Sequence, residues 1–447
     1  KLQKAANDNK RENSLMSDPS TVQDTENPYK SKKVRNYALG LLTIGYCFNF
    51  IDRQLLSILQ EAIKVDLNLS DGQLGLLTGF AFAMFYVSAG IPIARWADRG
   101  NRKNIVSLAI GIWSLMTAVS GLAQNYLQLF LARVGVGIGE AGGSPPSHSI
   151  ISDIFPAEKR ATAISIYSTG VNVGILFGFL LGGWLNEFFG WRVAFAVVGL
   201  PGLLIALVIR YTIKEPIRGL SDGKKVEEVP PLGEVLGLLW SRSSFRHIAL
   251  GAGLNAFAAY GTVNWQGSFF IRLHGMSTGE LGTWLALSSG FLGAVGILAG
   301  GMLADKLAPR DKRWYVWIPA IVGFIGVPFF VAVFTIESTY AALILSCIPG
   351  TLINVYLGNS IATSHALVGA RMRAMASAIL FFILNLIGLG LGPLFIGLLS
   401  DYLAPTLGVE SLRYAMVYLI PTALFWSSCH FMLAARTLRD DLANAPD

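Results

Sequence analysis

The sequence predicts an all-α integral membrane protein whose twelve transmembrane helices form two pseudo-symmetric bundles of six. Three observations carry this. Apolar stretches long enough to cross a bilayer recur along the whole chain: 53% of its 447 residues are hydrophobic and only 14% charged, a balance that ordinary soluble domains do not have. The net charge of +7 collects in alternate loops and forms no groove-sized patch with interleaved aromatics, so membrane topology accounts for it and nucleic acid does not. One long hydrophilic connection, residues 214–244, divides the spans six and six.

Residues 1–35 are polar, too poor in apolar side chains to pack a core or form a signal-peptide segment, and are expected to be a disordered cytoplasmic tail. The N-terminal bundle follows over 36–213, with spans at about 36–62, 72–97, 104–124, 126–152, 158–186 and 190–213. After the cytoplasmic linker at 214–244, the C-terminal bundle over 245–437 holds spans at about 245–272, 277–304, 314–336, 338–366, 373–403 and 410–436, before a short cytoplasmic tail at 438–447. The loops test the count. Lys30, Lys32, Lys33 and Arg35 precede span 1, Arg99, Arg102 and Lys103 follow span 2, and Lys159 and Arg160 follow span 4. Lys306, Arg310, Lys312 and Arg313 repeat the pattern after span 8, as do Arg371 and Arg373 after span 10. The intervening loops carry isolated bases such as Lys64, Arg192, Arg272 and Arg413, so both termini are expected in the cytoplasm.

The halves echo each other. The loop ARWADRGNRK (94–103) has its counterpart in GMLADKLAPRDKR (301–313). Span 5 carries Gly170, Gly174, Gly178 and Gly182-Gly183, and span 11 carries Gly388, Gly390, Gly392 and Gly397. Small residues four apart leave a groove into which a neighbouring helix can fit closely. A duplicated six-span unit is the architecture of a secondary transporter with its substrate site near the midplane. The loop DRGNRK (98–103) and GWRVAF at 190–195 resemble motifs of the major facilitator superfamily, and the resemblance covers residues 36–437. The loop departs from the family pattern at Ala94, where a glycine is usual, and in the order of Gly100-Asn101. With FNFIDRQLLSIL (48–59), RVGVGIGEA (133–141) and PSHSIISDIFP (146–156), the chain looks most like the Spinster-type branch. That resemblance implies a bacterial inner-membrane protein similar to animal transporters of sphingosine phosphate and lysophospholipids. The span-5 glycine pattern associated with antiporters is present, but Phe179 replaces its proline, which leaves the direction of transport open.

Four charges fall in the apolar interior: Asp52 and Arg53 in span 1, Arg133 and Glu140 in span 4. Each costs about 2.5–3.5 kcal/mol near a helix centre even on mild scales, so such residues are rare and usually functional. Arg133 and Glu140 are two turns apart, about 10 Å along the axis, on nearly one face. Asp52 and Arg53 fall at a depth between them, and the family's fold implies that spans 1 and 4 both line the central cavity. Two structural salt bridges are the plainer reading. Against it, buried pairs add little net stability over apolar packing, and the second half has no matching charges. The expected mechanism is competition for Arg133: an anion occupying the arginine leaves a desolvated carboxylate that accepts a proton. Asp52 or Glu140 would carry the proton, Asp52 being preferred with Glu140 organising Arg133, and Arg53 or Arg133 would hold an anionic headgroup.

Asp98, Arg99, Arg102 and Asp305 are read as a cytoplasmic gate, in which Asp98 accepts from the start of span 11 and Asp305 from the start of span 5 near Arg160. Asn255, Tyr260, Asn264, Trp265 and Phe269 in span 7, Asn354, Tyr356 and Asn359 in span 10, and Asn385 in span 11 are the candidates for an uncharged cavity lining. One half would then take an anionic head and the other an apolar chain. The five histidines are expected to be satisfied side chains near span ends or in the last span, His148 included. Cys47, Cys347 and Cys429 have no ligand spacing, and neither a metal nor a cofactor is expected. No catalytic motif is present, and a channel's repeated selectivity ring is missing. The expectation is a monomeric proton-coupled carrier of an amphipathic anion such as a lysophospholipid or sphingolipid-like molecule. The alternative is a proton-coupled carrier of small organic anions or drugs.

Overall fold

The structure, a computed structural model, describes residues 28–218 and 231–446, so most of the expected tail and the middle of the expected linker lie outside the described residues. It is all-helical among those residues. The N-terminal half consists of span 1 (Lys32–Leu67), span 2 (Asp71–Arg99), span 3 (Arg102–Ser120), span 4 (Tyr126–Glu140 and Ser144–Ile154), span 5 (Ala157–Phe189) and span 6 (Trp191–Thr212). The C-terminal half consists of span 7 (Ser243–His274), span 8 (Thr278–Leu307), span 9 (Trp314–Thr335), span 10 (Thr339–Leu352 and Tyr356–Ala366), span 11 (Arg373–Leu384 through Gly392–Leu407) and span 12 (Ser411–Ala443). Among the described residues, eight helical runs are long and apolar enough to cross a membrane, and one of them, Arg373–Ala443, contains spans 11 and 12 together. Spans 1, 4 and 7 fall short because of polar side chains such as Asp52, Arg133 and Asn264.

The breaks have local causes. Span 4 stops at Glu140 because Gly142 and Gly143 follow, and it restarts at Ser144 with proline in its first turn, where a missing N–H costs nothing. Span 10 breaks at the equivalent station, between Leu352 and Tyr356. Spans 2, 8 and 11 each contain a π-helical stretch, at Leu76–Phe80, Ala286–Phe291 and Asn385–Leu391. Such stretches often mark functional sites in helices.

The same packing recurs in each half. Span 1 lies on spans 5 and 6 as span 7 lies on spans 11 and 12, and span 3 packs on span 6 as span 9 packs on span 12. The glycine rows account for the closest pairs. A Cβ on Gly174 would stand 2.6 Å from the Phe50 Cβ, and one on Gly392 2.7 Å from the Phe257 carbonyl oxygen. Only a glycine face permits this approach of span 5 to span 1 and of span 11 to span 7.

The first helix starts four residues before its expected position, because the preceding turn Pro28–Lys30 is anchored. Tyr29 is buried and its hydroxyl donates to the Lys214 carbonyl. Burial pushes that phenol up to about 12, so it stays a donor throughout the physiological range. Arg102, 1% exposed, is paired with Asp153 and, at 2.8 Å, with Glu215, and Arg218 donates to the carbonyls of Ala97 and Gly100. The start of the linker is therefore strapped to the N-terminal half. Its later part, the helix Leu232–Ser241, buries Val235 and Leu239 against the C-terminal half. There, Asp311 is held well below the usual carboxylate range by hydrogen bonds from Arg313, and Arg439 adds a further bond.

The halves meet at the end away from the termini. Arg272 of span 7 bonds Glu61 of span 1 at 2.9 Å and Asp71 of span 2 at 2.8 Å, and Lys64 also pairs with Asp71. Asp401, in the last turns of span 11, accepts from the backbone N–H groups of Asp71 and Gly72 at 2.9 and 2.7 Å, capping span 2. Glu187, near the end of span 5, accepts from the Gly279 N–H at 2.9 Å and caps span 8 in the same way. These anions satisfy otherwise orphaned helix donors across the interface. At the end bearing the termini, Asp98, Arg99 and Asp305 are exposed.

Candidate functional site

The four interior charges come together between spans 1 and 4, in a pairing the sequence did not indicate. Arg53 Nε donates to Glu140 Oε2 at 2.7 Å, with the Glu140 side chain fully buried and that of Arg53 16% exposed. Arg133 faces Asp52 instead, at the longer distance of 3.7 Å. Asp52 Oδ2 accepts from the hydroxyl of Thr117 on span 3. Asp52, Arg133 and Glu140 are all buried. Arg133 Nε and Nη1, Asp52 Oδ1 and Glu140 Oε1 have no hydrogen-bond partner among the described residues. The Arg133–Asp52 pair is thus a loosely satisfied charge pair, and the Arg53–Glu140 pair is a tight one.

Arg53 is also surrounded by aromatic faces. Its guanidinium carbon lies 5.0, 4.9 and 5.2 Å from the ring centres of Phe50, Phe82 and Tyr86. The ring quadrupoles favour a cation there, by about 0.5–2 kcal/mol per contact depending on desolvation. Tyr46, Tyr86 and Tyr260 stand within electrostatic reach of the same guanidinium, Tyr260 coming from the C-terminal half. The arrangement can present a planar, partly exposed cation to an anion.

Sequence reasoning missed Thr117, Phe82 and Tyr86, which carry no signal beyond being ordinary members of spans 2 and 3. It also treated Lys64 and Arg272 as isolated loop bases, although Glu61 and Asp71 stand close by in the sequence. Arg102, expected at the gate between halves, is buried within its own half. It opens span 3 beside Asp153, and that carboxylate and Glu215 claim its donors.

The expected cavity lining divides. Asn264 accepts from Ser57 of span 1 at 3.0 Å and so joins the halves beyond the charge cluster. Asn354 lines a cavity of about 80 Å³, together with Thr262, Gln266, Ser346, Phe330 and Phe334 of the C-terminal half and Ile175 of span 5. The hydroxyls of Thr262 and Ser346 and the Asn354 amide donate to carbonyls of their own helices, which leaves the lining largely apolar. Asn385 is half-buried at the start of the span-11 π stretch. Trp265 and Phe269 are fully buried and are not among the residues that line this cavity. The Trp265 indole donates to the Pro393 carbonyl at 2.9 Å, as a buried N–H must, and Phe269 packs edge-on against Phe334. Asn255, Tyr356 and Asn359 are buried too, the Asn359 amide donating to the Val355 carbonyl.

The comparisons with known proteins agree with this architecture. The chain is 35% identical to a bacterial homologue of the human lysosomal transporter Spinster, solved in an inward-facing, unoccupied conformation, with a TM-score of 0.83 over 92% of this chain and 99% of that one. It is 32% identical over 436 residues to an MFS-type efflux pump of Mycolicibacterium smegmatis, covering 96% of this chain and all of the relative. It is 27% identical to the sphingosine-1-phosphate transporter of Danio rerio, over 90% of this chain and 84% of the relative. The model of the Major Facilitator Superfamily matches residues 42–393. With two six-span halves and these matches, the chain belongs to the Major Facilitator Superfamily, as a transporter of its Spinster-type branch.

Proposed function

We propose that the protein carries an amphipathic anion, such as a lysophospholipid or a sphingolipid-like molecule, together with a proton, by alternating access across a bacterial inner membrane with both termini in the cytoplasm. One observation supports this most: Arg53 is the most accessible of the four cluster charges, its side chain 16% exposed, and its tight partner Glu140 is fully buried. An anionic headgroup arriving at Arg53 competes with Glu140 for the guanidinium. A buried carboxylate deprived of its cation takes up a proton, so anion binding and protonation are linked. The competition expected at Arg133 moves to Arg53, and Glu140 becomes the proton carrier, with Asp52 holding Arg133. The apolar part of the substrate would use the C-terminal half, whose cavity lining is largely apolar. The likeness to the sphingosine-1-phosphate transporter of Danio rerio supports the lipid class. Asp98, Arg99 and Asp305 would engage the opposite half when the cytoplasmic end closes.

A second reading, transport of drugs or small organic anions, draws on the likeness to the efflux pump of Mycolicibacterium smegmatis. Uptake of a labelled lysophospholipid into liposomes containing the purified protein, with and without a proton gradient, separates the two. Gradient-dependent flux that is lost in Glu140→Gln supports the lipid and the coupling role. No flux in the native protein would discard the lipid in favour of the second reading.

A further inference from the structure

One polar side chain in the cavity beside span 5 is left unused by the fold. Gln266 is 5% exposed and lines that cavity, and its carboxamide makes no hydrogen bond among the described residues. A buried amide without a partner is costly, and folded proteins leave few of them. Thr262, one turn earlier on the same face of span 7, and Ser346 of span 10 instead donate to carbonyls of their own helices. Two further polar groups converge on the cavity from other helices. Ser289 belongs to the π-helical stretch Ala286–Phe291 of span 8, and Asn354 to the break in span 10. Asn354 Nδ2 donates to the Gly350 carbonyl at 2.8 Å, while its Oδ1 accepts no hydrogen bond among the described residues. Irregular helices at membrane depth are characteristic of transporter binding sites, where the freed backbone lines a cavity. No charged side chain is among those that line this one. The cavity also adjoins a contact between the halves: a Cβ on Gly290, next to Ser289, would stand 3.0 Å from Leu176, next to Ile175.

We propose that this cavity is a recognition site for a hydroxyl group carried on the apolar part of the substrate, and that Gln266 is the residue that selects it. With no charged side chain in its lining, the cavity favours a neutral group. A carboxamide needs an acceptor for its N–H and a donor for its carbonyl oxygen, and a hydroxyl supplies both. An ether or ester oxygen supplies only the acceptor, and a methyl group supplies neither. Ser289 and the Asn354 oxygen extend the same network. A volume of about 80 Å³ is roughly half that of a cavity that admits benzene, so it takes a short segment of the chain and not the whole. The substrate is thus read at two points, its anionic head at Arg53 and its hydroxyl at Gln266.

The proposal deepens the anion reading above and rests on it, and its test separates the two. The probes are dodecyl phosphate and a series of monohydroxylated dodecyl phosphates, with the hydroxyl at successive positions along the chain. Binding of each to the purified full chain in lipid nanodiscs is measured by titration. The native protein is compared with Gln266→Met, which keeps an unbranched side chain of similar size and removes its amide. The expected result is a native preference of about tenfold for at least one hydroxylated probe. In Gln266→Met that preference falls to about twofold or less, while affinity for dodecyl phosphate stays within about threefold. The ligand-free melting temperature of Gln266→Met should equal or exceed that of the native protein, because an amide kept for a ligand adds nothing to the empty fold. Equal native affinity for all probes overturns the site and leaves water as the partner of Gln266. A preference that survives Gln266→Met, or a lowered ligand-free melting temperature, overturns the selecting role of Gln266. Binding of no probe at all removes the anion reading itself, and this site with it.

Discussion

A buried guanidinium keeps its charge only where something anionic faces it, and Arg53 and Arg133 meet this need differently. Arg133 is enclosed with Asp52, at a distance that leaves donors unspent. Arg53 has a close carboxylate, three aromatic faces and a side chain that is 16% exposed. A lysine would keep the charge at position 53 but lose the planar fork and the ring stacking. Arg53→Lys is therefore expected to weaken binding of a lysophospholipid probe on the order of tenfold, read by titration of the purified protein. The same substitution at Arg133, which no substrate would reach, should leave probe affinity within about threefold. The four charges were legible in the sequence because charges at membrane depth are conspicuous. Their pairing was not, because it depends on how each helix is rotated about its axis, and neighbours such as Thr117 and Phe82 are unremarkable in composition.

At the scale of single helices, the glycine row of span 5 is the feature that sequence spacing conveyed most directly. It predicted a close partner, and the partner is span 1, the helix that carries Asp52 and Arg53. Gly174→Leu would drive a side chain into Phe50, one turn from Arg53, and is expected to cost about 1–3 kcal/mol as overpacking. A lowered melting temperature in detergent is the readout, and an unchanged one would contradict the close packing. The break in span 4 has a visible cause in Gly142, Gly143 and the two prolines after Ser144, although its consequence, a helix end at Glu140, requires the fold to be seen. The π-helical stretches of spans 2 and 11 left no trace in composition. They lie where the halves touch, Gly79 against the Gly390 carbonyl, and contacts between elements set them more than local propensity does.

For the molecule as a whole, the far-end contacts set the balance between conformations. Arg272 ties span 7 to both Glu61 and Asp71, and removing it leaves Glu61 without this cation and Asp71 with Lys64 alone. A hydrogen bond to a charged group is worth about 1.5–3 kcal/mol, so Arg272→Ala is expected to shift the population toward the state open at the far end by roughly 10- to 100-fold. Faster labelling of a cysteine placed in the far half of the cleft would report this, and unchanged labelling would argue that the helix caps alone hold the end shut. The duplicated architecture was readable from loop charges and from the six-and-six division. The state of the cleft was not, since one sequence must serve every conformation. The charge cluster has a further consequence, in electrical terms. Two acids and two arginines sum to zero when the site is empty, and a monovalent anion bound at Arg53 with a protonated Glu140 sums to zero again. The cycle would then move no net charge in either direction and would spare the carrier the roughly 2.3 kcal/mol that each elementary charge exchanges with a 100 mV membrane potential. Transport of a singly charged substrate should accordingly follow the pH difference and ignore an imposed voltage.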